Sequence, residues 1–471
     1  MSGSLSSLNT ALTALRYQRV ALDVASNNVA NATTEGYTRR RVVGETIGSA
    51  SVPALWSRYE GASGSVGAGV TTRSVDRMTD DLLDARSRRE NANQSYLDVR
   101  SATLQRVESG IGEPGDSGVS AALTSFRSSW HDLANDPGSA AAREVVLARA
   151  TALVDSVHAQ ARQVSDEQAD QRVRLQGVVA DVNTTATELA ATNRALAAAS
   201  LDGVDTSDLA DQRDALALRL ASLTGGTASP RSDGGFDVSL GGVPLVEGGT
   251  AHTLQIASGV TAGGGDDGQP VTFSITTGGA APTTTAVPAG LKGETGAVAD
   301  LLTTTLPAYA AGLGAVVATL AGEVNALHQA GYDQGGAAGG PFFSFDPADP
   351  AGSLAVAVTS ASGVAASAAA GGGLDGTQAD RLATAGAAEG AYARLVTGFG
   401  TEVASVQRLA TTQQLLTAQV DSAREQLSGV NLDEEMVSML SAQRSYEAAA
   451  RVMTVVDSVL DTLINRTGLL R

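Results

Sequence analysis

Leu5, Leu8, Leu12, Leu15, Leu22 and Val29 recur at alternating spacings of three and four residues, with Arg19 and Ser26 in the two intervening places. That is a heptad seam on one face of a helix. A lone amphipathic helix is marginal in water, because most helix stability comes from packing, so the seam requires a partner helix. The other end of the chain supplies one. From Met436 to Ile464 a seam runs through Met436, Met439, Tyr446, Ala450, Met453, Leu460 and Ile464. A second stripe runs through Val437, Leu440, Val452, Val456, Val459 and Leu463. Two stripes make an apolar face too wide for one partner, so this helix is expected to meet the N-terminal helix and something else. Its start is marked by Gly429-Val-Asn-Leu-Asp-Glu-Glu435. Asn431 suits an N-cap with Glu434 three residues on, and the acidic cluster reads as capping and dipole complement, not as a metal site.

Helical periodicity dominates between the ends. The spacing predicts helices over 79–109, over 119–135 up to the stop at Asn135-Asp-Pro-Gly138, over 139–200 with room for one break, and over 208–223, 295–329 and 392–427. From Thr227 to Gly290 the texture turns to Gly, Thr and Val with alternation, as in Phe236-Asp-Val-Ser-Leu240 followed by Gly241-Gly242. This reads as an inserted β domain. A second hairpin is expected near 41–75. Residues 351–373 read as a strand or two with a loop. The expected fold is mainly α with a small β insert: an elongated multidomain rod with paired terminal helices, a long-helix bundle and an inserted β domain. The expected divisions are 1–40 with 429–471, 41–226 with 291–428, and 227–290. The chain runs out and returns, placing both termini at one end.

The 471 residues carry Lys+Arg 32 against Asp+Glu 50, a net charge of -18. That balance argues against nucleic acid and against an anionic membrane surface. There is no cysteine, which excludes disulfides and Cys-ligated zinc. The uncharged stretch 301–322 holds Pro307, several threonines and three glycines, and reads as a buried helix, so no membrane insertion is expected. No secretory signal is visible at the N-terminus, which by itself suggests a cytoplasmic protein. His131, His158, His252 and His328 are scattered, with no second ligand at metal spacing. No nucleophile elbow, P-loop or dinucleotide fingerprint occurs. In the run from Asp208 to Asp214, Asp211 and Asp214 share a helix face as an acid/base pair would, but Arg213 sits among them as a neutralising charge. No catalytic, cofactor or metal residue is assigned.

The stretch Ala25-Ser-Asn-Asn-Val-Ala-Asn-Ala-Thr-Thr-Glu-Gly-Tyr-Thr-Arg-Arg-Arg41 packs three asparagines and a Gly-Tyr pair behind the first helix. It resembles the N-terminal signature of the bacterial flagellar rod, hook and hook-associated axial family. Asn27, Asn28, Ala30, Asn31, Thr34, Gly36 and Tyr37 carry the match, while Thr33 and Glu35 depart from the common Asn and Pro. Physically, asparagines suit the orphan groups at a helix end, Gly36 suits positive φ, and Tyr37 suits an anchor with its hydroxyl at an interface. The tail, with Gly429, Asn431 to Glu435, Gln443, Tyr446, Ala449 and Asp457, is similar to the hook-associated branch, the hook–filament junction proteins. So are the stretches 126–154, 208–225 and 241–248. Longer relatives carry an extra domain near 346–373, and here a short Ala/Gly/Ser segment stands in its place.

The resemblance implies a structural component of the flagellum, not an enzyme. It would form a ring between hook and filament and be needed for filament attachment. It implies export through the flagellar type III channel without a cleaved signal, which would place the protein outside the cell and overturn the cytoplasmic reading. Implied partners are hook protein, a second hook-associated junction protein, further copies of itself (monomer in solution), and an export chaperone on the C-terminal helix. The assembly interface would comprise Leu5, Leu8, Leu12, Leu15, Leu22, Asn27, Asn28, Val29, Asn31, Gly36, Tyr37, Met439, Tyr446, Met453, Leu460 and Ile464. The chaperone would take Met436, Val437, Leu440, Val452, Val456 and Leu463. The alternatives are a hook or rod axial protein, or a flagellum-associated adhesin or enzyme acting through the β insert.

Overall fold

The computed structural model describes residues 2–47, 69–113, 115, 118–277, 282–371 and 375–462, with side chains from residue 7. Helix α1 (Ser2–Ala30) leads into a hairpin, β1 (Arg40–Thr46) and β2 (Val70–Arg77), paired antiparallel. Then follow α2 (Asp81–Ile111), α3 (Val119–Asn135), α4 (Ala140–Leu201) and α5 (Ser207–Thr224). Asp80 caps α2 by accepting from the Leu82 and Leu83 amides, and Ser139 caps α4. The sequence left room for one break in α4, but the helix runs unbroken for 62 residues. It contains no proline, so nothing in its interior removes a backbone donor. At 1.5 Å per residue it is ~93 Å long. A compact chain of 471 residues would have a radius of gyration of about 23 Å. The molecule is therefore elongated.

Strands β3 (Thr227–Pro230), β4 (Phe236–Leu240), β5 (Val243–Glu247) and β6 (Thr250–Ala251) form one antiparallel sheet in that order. Gly241 and Gly242 both have positive φ in the two-residue β4–β5 turn, which is why the Gly-Gly pair stands there. Strands β7 (Thr253–Ser258), β8 (Thr272–Thr276) and β9 (Thr284–Val287) form a second sheet. Next come α6 (Gly293–Asp300), a π-helical turn (Leu301–Thr305) and α7 (Leu306–Gln329). The chain continues through β10 (Phe343–Ser344), α8 (Pro350–Ser353), β11 (Ala355–Val356), α9 (Thr377–Thr384), α10 (Ala387–Ser428) and α11 (Leu432–Asp461). Helix α10 pairs along α2, and α11 along α1, so the chain does run out and return.

Packing divides the body into two cores. The nearer one joins α2, the C-terminal half of α4, α5, α6 and α10 with the β insert, through residues such as Leu104, Leu175, Leu189, Leu220, Leu240 and Ile275. The insert has no core separate from the helices. Two asparagines of α4 stitch it down: Asn183 donates to the Leu254 carbonyl (3.0 Å) and accepts from the Leu254 amide (2.8 Å), and Asn193 does the same with Phe236 (2.8 and 3.0 Å). The distal core joins α3, the N-terminal half of α4, α7 from Leu313 onward, and residues 342–392. Phe126, Trp130, Phe342 and Phe343 stack there in edge and tilted contacts of 4.9–6.1 Å. His328 is fully buried beside them. Its Nδ1 lies 2.7 Å from the Gly340 carbonyl and its Nε2 accepts from the Ala365 amide at 2.9 Å, which selects the neutral Nδ1–H tautomer.

The helical run Gly293–Gln329 is long and apolar enough to cross a membrane. Leu313, Val316, Val317, Leu320 and Val324 face the distal core, which accounts for its apolarity. Residues 346–371 hold α8, β11 and a 3-10 turn, and deliver Ala351, Leu354, Val364 and Ala366 to that core.

Candidate functional site: the terminal arm and its junction

α1, α11 and the β1–β2 hairpin form an arm. The C-terminal end of α1 meets the N-terminal end of α11 through a direct Asn28–Glu435 bond, so the two helices run antiparallel and both lead away from the body. Leu8, Leu12, Leu15, Leu22 and Val29 of α1 and Met439, Met453 and Leu460 of α11 are half-buried. Tyr446 remains 39% exposed. The second stripe of α11 is largely bare: Met436 is 53%, Val437 67%, Leu440 50% and Val452 49% exposed, whereas Val456 is half-buried with the first seam. The Leu5 side chain, Leu463 and Ile464 lie outside the described residues. Among the described residues, the fully buried apolar side chains of the arm are alanines, Ala11, Ala25 and Ala442.

The signature segment organises the base of the arm. Asn27 and Asn31 pair with each other across one helical turn, the Asn31 amide donating to Asn27 Oδ1 (2.6 Å) and to the Asn27 carbonyl (3.1 Å). Gly36 takes φ +80°, where a side chain would be strained. Asn28 has a different role. It is 1% exposed, and its amide fills all four of its hydrogen-bonding positions. It donates to the Arg40 carbonyl (2.9 Å) and to Glu435 Oε2 (3.0 Å), and accepts from the Arg40 amide (3.0 Å) and the Tyr37 hydroxyl (2.8 Å). Burial raises the Tyr37 pKa, so the phenol keeps the proton it donates. Tyr37 also lies under the Arg40 guanidinium at 5.2 Å.

The acidic start of α11 does more than cap. Asn431 accepts from the Asp433 and Glu434 amides, as an N-cap should. Arg39 then takes both glutamates, reaching Glu435 at 2.7 Å and Glu434 at 2.9 Å, while its own backbone amide donates to the Ser428 carbonyl. Glu435 is buried, with charge-assisted partners on both oxygens. Sequence reasoning assigned Glu435 to the helix dipole alone. The basic triplet downstream of Tyr37 was the available signal for its partner.

The carboxylates of α5 serve the same junction. Arg40, buried at 6% exposure, bonds Asp208, with Asp211 at 3.6 Å and Asp205 at 3.8 Å. Arg77 at the end of β2 reaches Asp211 and Asp214, each at 2.6 Å, and Asp211 accepts from the Thr38 amide. Burial opposes charge on Arg40 and Arg77, but the carboxylates outweigh it and raise both pKa values. Arg213 bonds Asp214 at 2.6 Å and lies 4.0 Å over the Phe236 ring. Every carboxylate of this cluster has a cationic partner, which leaves none poised as a general base. Among the described residues no group of three or more His, Asp or Glu is arranged to hold a metal ion. Beneath the signature loop, a cleft of about 930 Å³ opens between residues 31–39 and 421–434.

Comparison with known proteins follows this division into arm and body. Residues 104–343 match the model described as flagellar hook-associated protein FlgK helical domain. Residues 8–38 match that of flagella basal body rod protein, and residues 424–466 that of flagellar basal body rod FlgEFG protein C-terminal. Flagellar hook-associated protein 1 of Bacillus subtilis (strain 168) is 30% identical over 517 aligned residues, covering 99% of each chain. The protein of that name from Escherichia coli (strain K12) is 23% identical, covering 97% of this chain and 99% of the relative. The alignment with its namesake from Salmonella typhimurium is 26% identical and spans 72% of this chain and 59% of that one. The solved structure of the flagellar hook junction protein FlgK from Burkholderia pseudomallei has the same fold, with TM-score 0.64 and 17% identity over 74% of this chain and all of that one. With a helical-domain match over half its length and a full-length relative at 30% identity, this chain belongs to the flagellar hook-associated protein FlgK family.

Proposed function

We propose that this chain is a structural unit of the bacterial flagellum at the junction of hook and filament. The observation that carries this reading is the exposed apolar stripe of α11, on an arm whose two ends match rod and hook axial families. A contiguous apolar face on an otherwise solvated helix marks a surface that another chain covers. In the proposed ring the layer 1–40 with 429–471 lies innermost and its seams are completed by neighbouring copies. The helical parts 41–226 and 291–428 form the next layer and 227–290 faces outward. Hook protein adjoins one side and a second junction protein the other. Before assembly the chain is a monomer, exported unfolded through the flagellar channel to the outside of the cell. A chaperone covers the stripe of Met436, Val437, Leu440, Val452, Val456 and Leu463 by a helix-in-groove mode. The chain acts by assembly and carries no catalytic activity, in keeping with the pairing of every carboxylate in the α5 cluster.

A clean deletion in the source bacterium tests this reading, with cells viewed by electron microscopy and the medium probed for flagellin. Bare hooks with flagellin in the medium are expected. Missing hooks would move the chain to the rod or hook, the reading favoured by the family matches at its two ends. Normal filaments would sink the junction role and reopen an adhesin or enzyme acting through the β insert.

A further inference from the structure

Among the described residues, neither hydrophobic core of the body contains a residue of α1, α11 or the β1–β2 hairpin. The arm's helices and strands pack substantially on one another only. Among the described residues, contact with the body runs through two chain crossings, the bond from the Arg39 amide to the Ser428 carbonyl of α10, and a polar socket in which Arg40 and Arg77 of the hairpin enter the row Asp205, Asp208, Asp211 and Asp214 on and before α5. On the α10 side the same base faces the cleft of about 930 Å³, which leaves room for movement. Gly36 at positive φ and Gly429 at the α10–α11 link border that cleft.

The geometry points to a hinge at this place: the arm swings on the body about its two chain crossings, residues 78–80 between β2 and α2 and Gly429 between α10 and α11, and the Arg40/Arg77–aspartate socket is the lock that holds one angle. Ion pairs suit a lock of this kind because they exchange among neighbouring carboxylates without exposing apolar surface, whereas a greasy interface would fix one geometry. Asp211 already accepts from Arg77 and from the Thr38 amide, and Arg40, which bonds Asp208, has Asp211 at 3.6 Å and Asp205 at 3.8 Å as alternative partners. The hinge is a property of the free chain and does not depend on the junction role.

The chain has no cysteine, so two spin labels can be placed cleanly. Ser441→Cys on α11 and Thr412→Cys on α10 are both exposed, one on each side of the hinge. Double electron–electron resonance on the full-length chain is expected to give one narrow distance peak. Asp211→Asn/Asp214→Asn is expected to abolish that peak in favour of a broad distribution. Because α5 lines a core, Arg77→Gln on the hairpin repeats the test without touching the body and is expected to do the same. Asp84→Asn, which breaks the Asp84–Arg424 pair inside the body, is expected to leave the peak unchanged. A peak as narrow in Arg77→Gln as in the parent overturns the lock. So does a parent distribution already as broad as the variants'.

Discussion

The arm and the body are built from the same kind of long helix and held by different forces. The body closes around Leu153, Leu175, Leu189, Leu220 and Leu306, none of which is solvent-exposed. The arm buries alanines and leaves valines, methionines and a tyrosine at its surface. Charge divides the same way. Residues 1–77 with 429–471 hold twelve Lys/Arg and eleven Asp/Glu, so 20 against 39 remain in 78–428 and the acidic excess of the chain lies there. A near-neutral arm can approach copies of itself without like-charge repulsion, while the acidic body keeps its neighbours solvated. The contrast teaches that the body is closed by its own core, whereas the arm leaves an apolar stripe uncovered.

The largest expected effect that separates the two is in the distal core. Trp130→Ala, in a cluster of four aromatic rings, is expected to cost ~3–5 kcal/mol of body stability in denaturant unfolding. Hydrogen exchange in α1 and α11 should not change. Next, Asn28→Ala removes four hydrogen bonds and leaves the buried Glu435 one partner short, at a cost of ~1–3 kcal/mol. This loss is expected to appear as faster exchange in α1 and α11 with the body's unfolding midpoint unmoved. A matching fall in body stability would break the comparison.

Acid should weaken the body by a smaller amount. Burial holds the His328 pKa below its ordinary value, against the opposing pull of the Gly340 carbonyl. The unfolded imidazole takes a proton near pH ~6.5, so below that pH the unfolded state binds more protons and stability falls. Asp375 acts in the same direction lower down. Bonds from Thr377 and Ala368 hold it at about 2, so its contribution is present above the ordinary carboxylate pKa and is lost as pH falls toward 2. Urea midpoints at mildly alkaline and mildly acidic pH check this, and His328→Gln should remove the dependence around neutrality. The smallest effect on stability is expected for Val437→Ser with Leu440→Ser, within ~0.5 kcal/mol per site because both side chains are already exposed. Under the proposed assembly role of the stripe, the same pair should reduce filament attachment in cells.

Much of this was legible in the sequence. The helices α1 and α11, the cap at Asn431 and the Gly241-Gly242 turn follow from spacing and turn chemistry, and they lie where expected. What stayed hidden depends on contacts distant in the chain. The three asparagines of the signature look alike, yet Asn28 alone turns inward, because its partners Arg40 and Glu435 are assembled only by the returning C-terminus. Asp211 and Asp214 read as a candidate acid/base pair neutralised by Arg213, and nothing near them in the sequence announces Arg77, which the hairpin brings to both. The merging of the β insert with the helical core rests on Asn183 and Asn193 in α4, whose polar character gave no hint of sheet docking. The π turn at Leu301–Thr305 leaves no mark in the hydrophobic periodicity.

The most direct test of the account is hydrogen exchange on the full-length chain, free in solution and again when bound to isolated hook ends. In the free chain, amides of α1 and α11 are expected to exchange far faster than those of α2, α4 and α10. Binding is expected to protect the arm selectively and leave the body unchanged. Arm helices as protected as the body in the free chain, with no gain on binding, would contradict the claim that their fold is completed by other subunits.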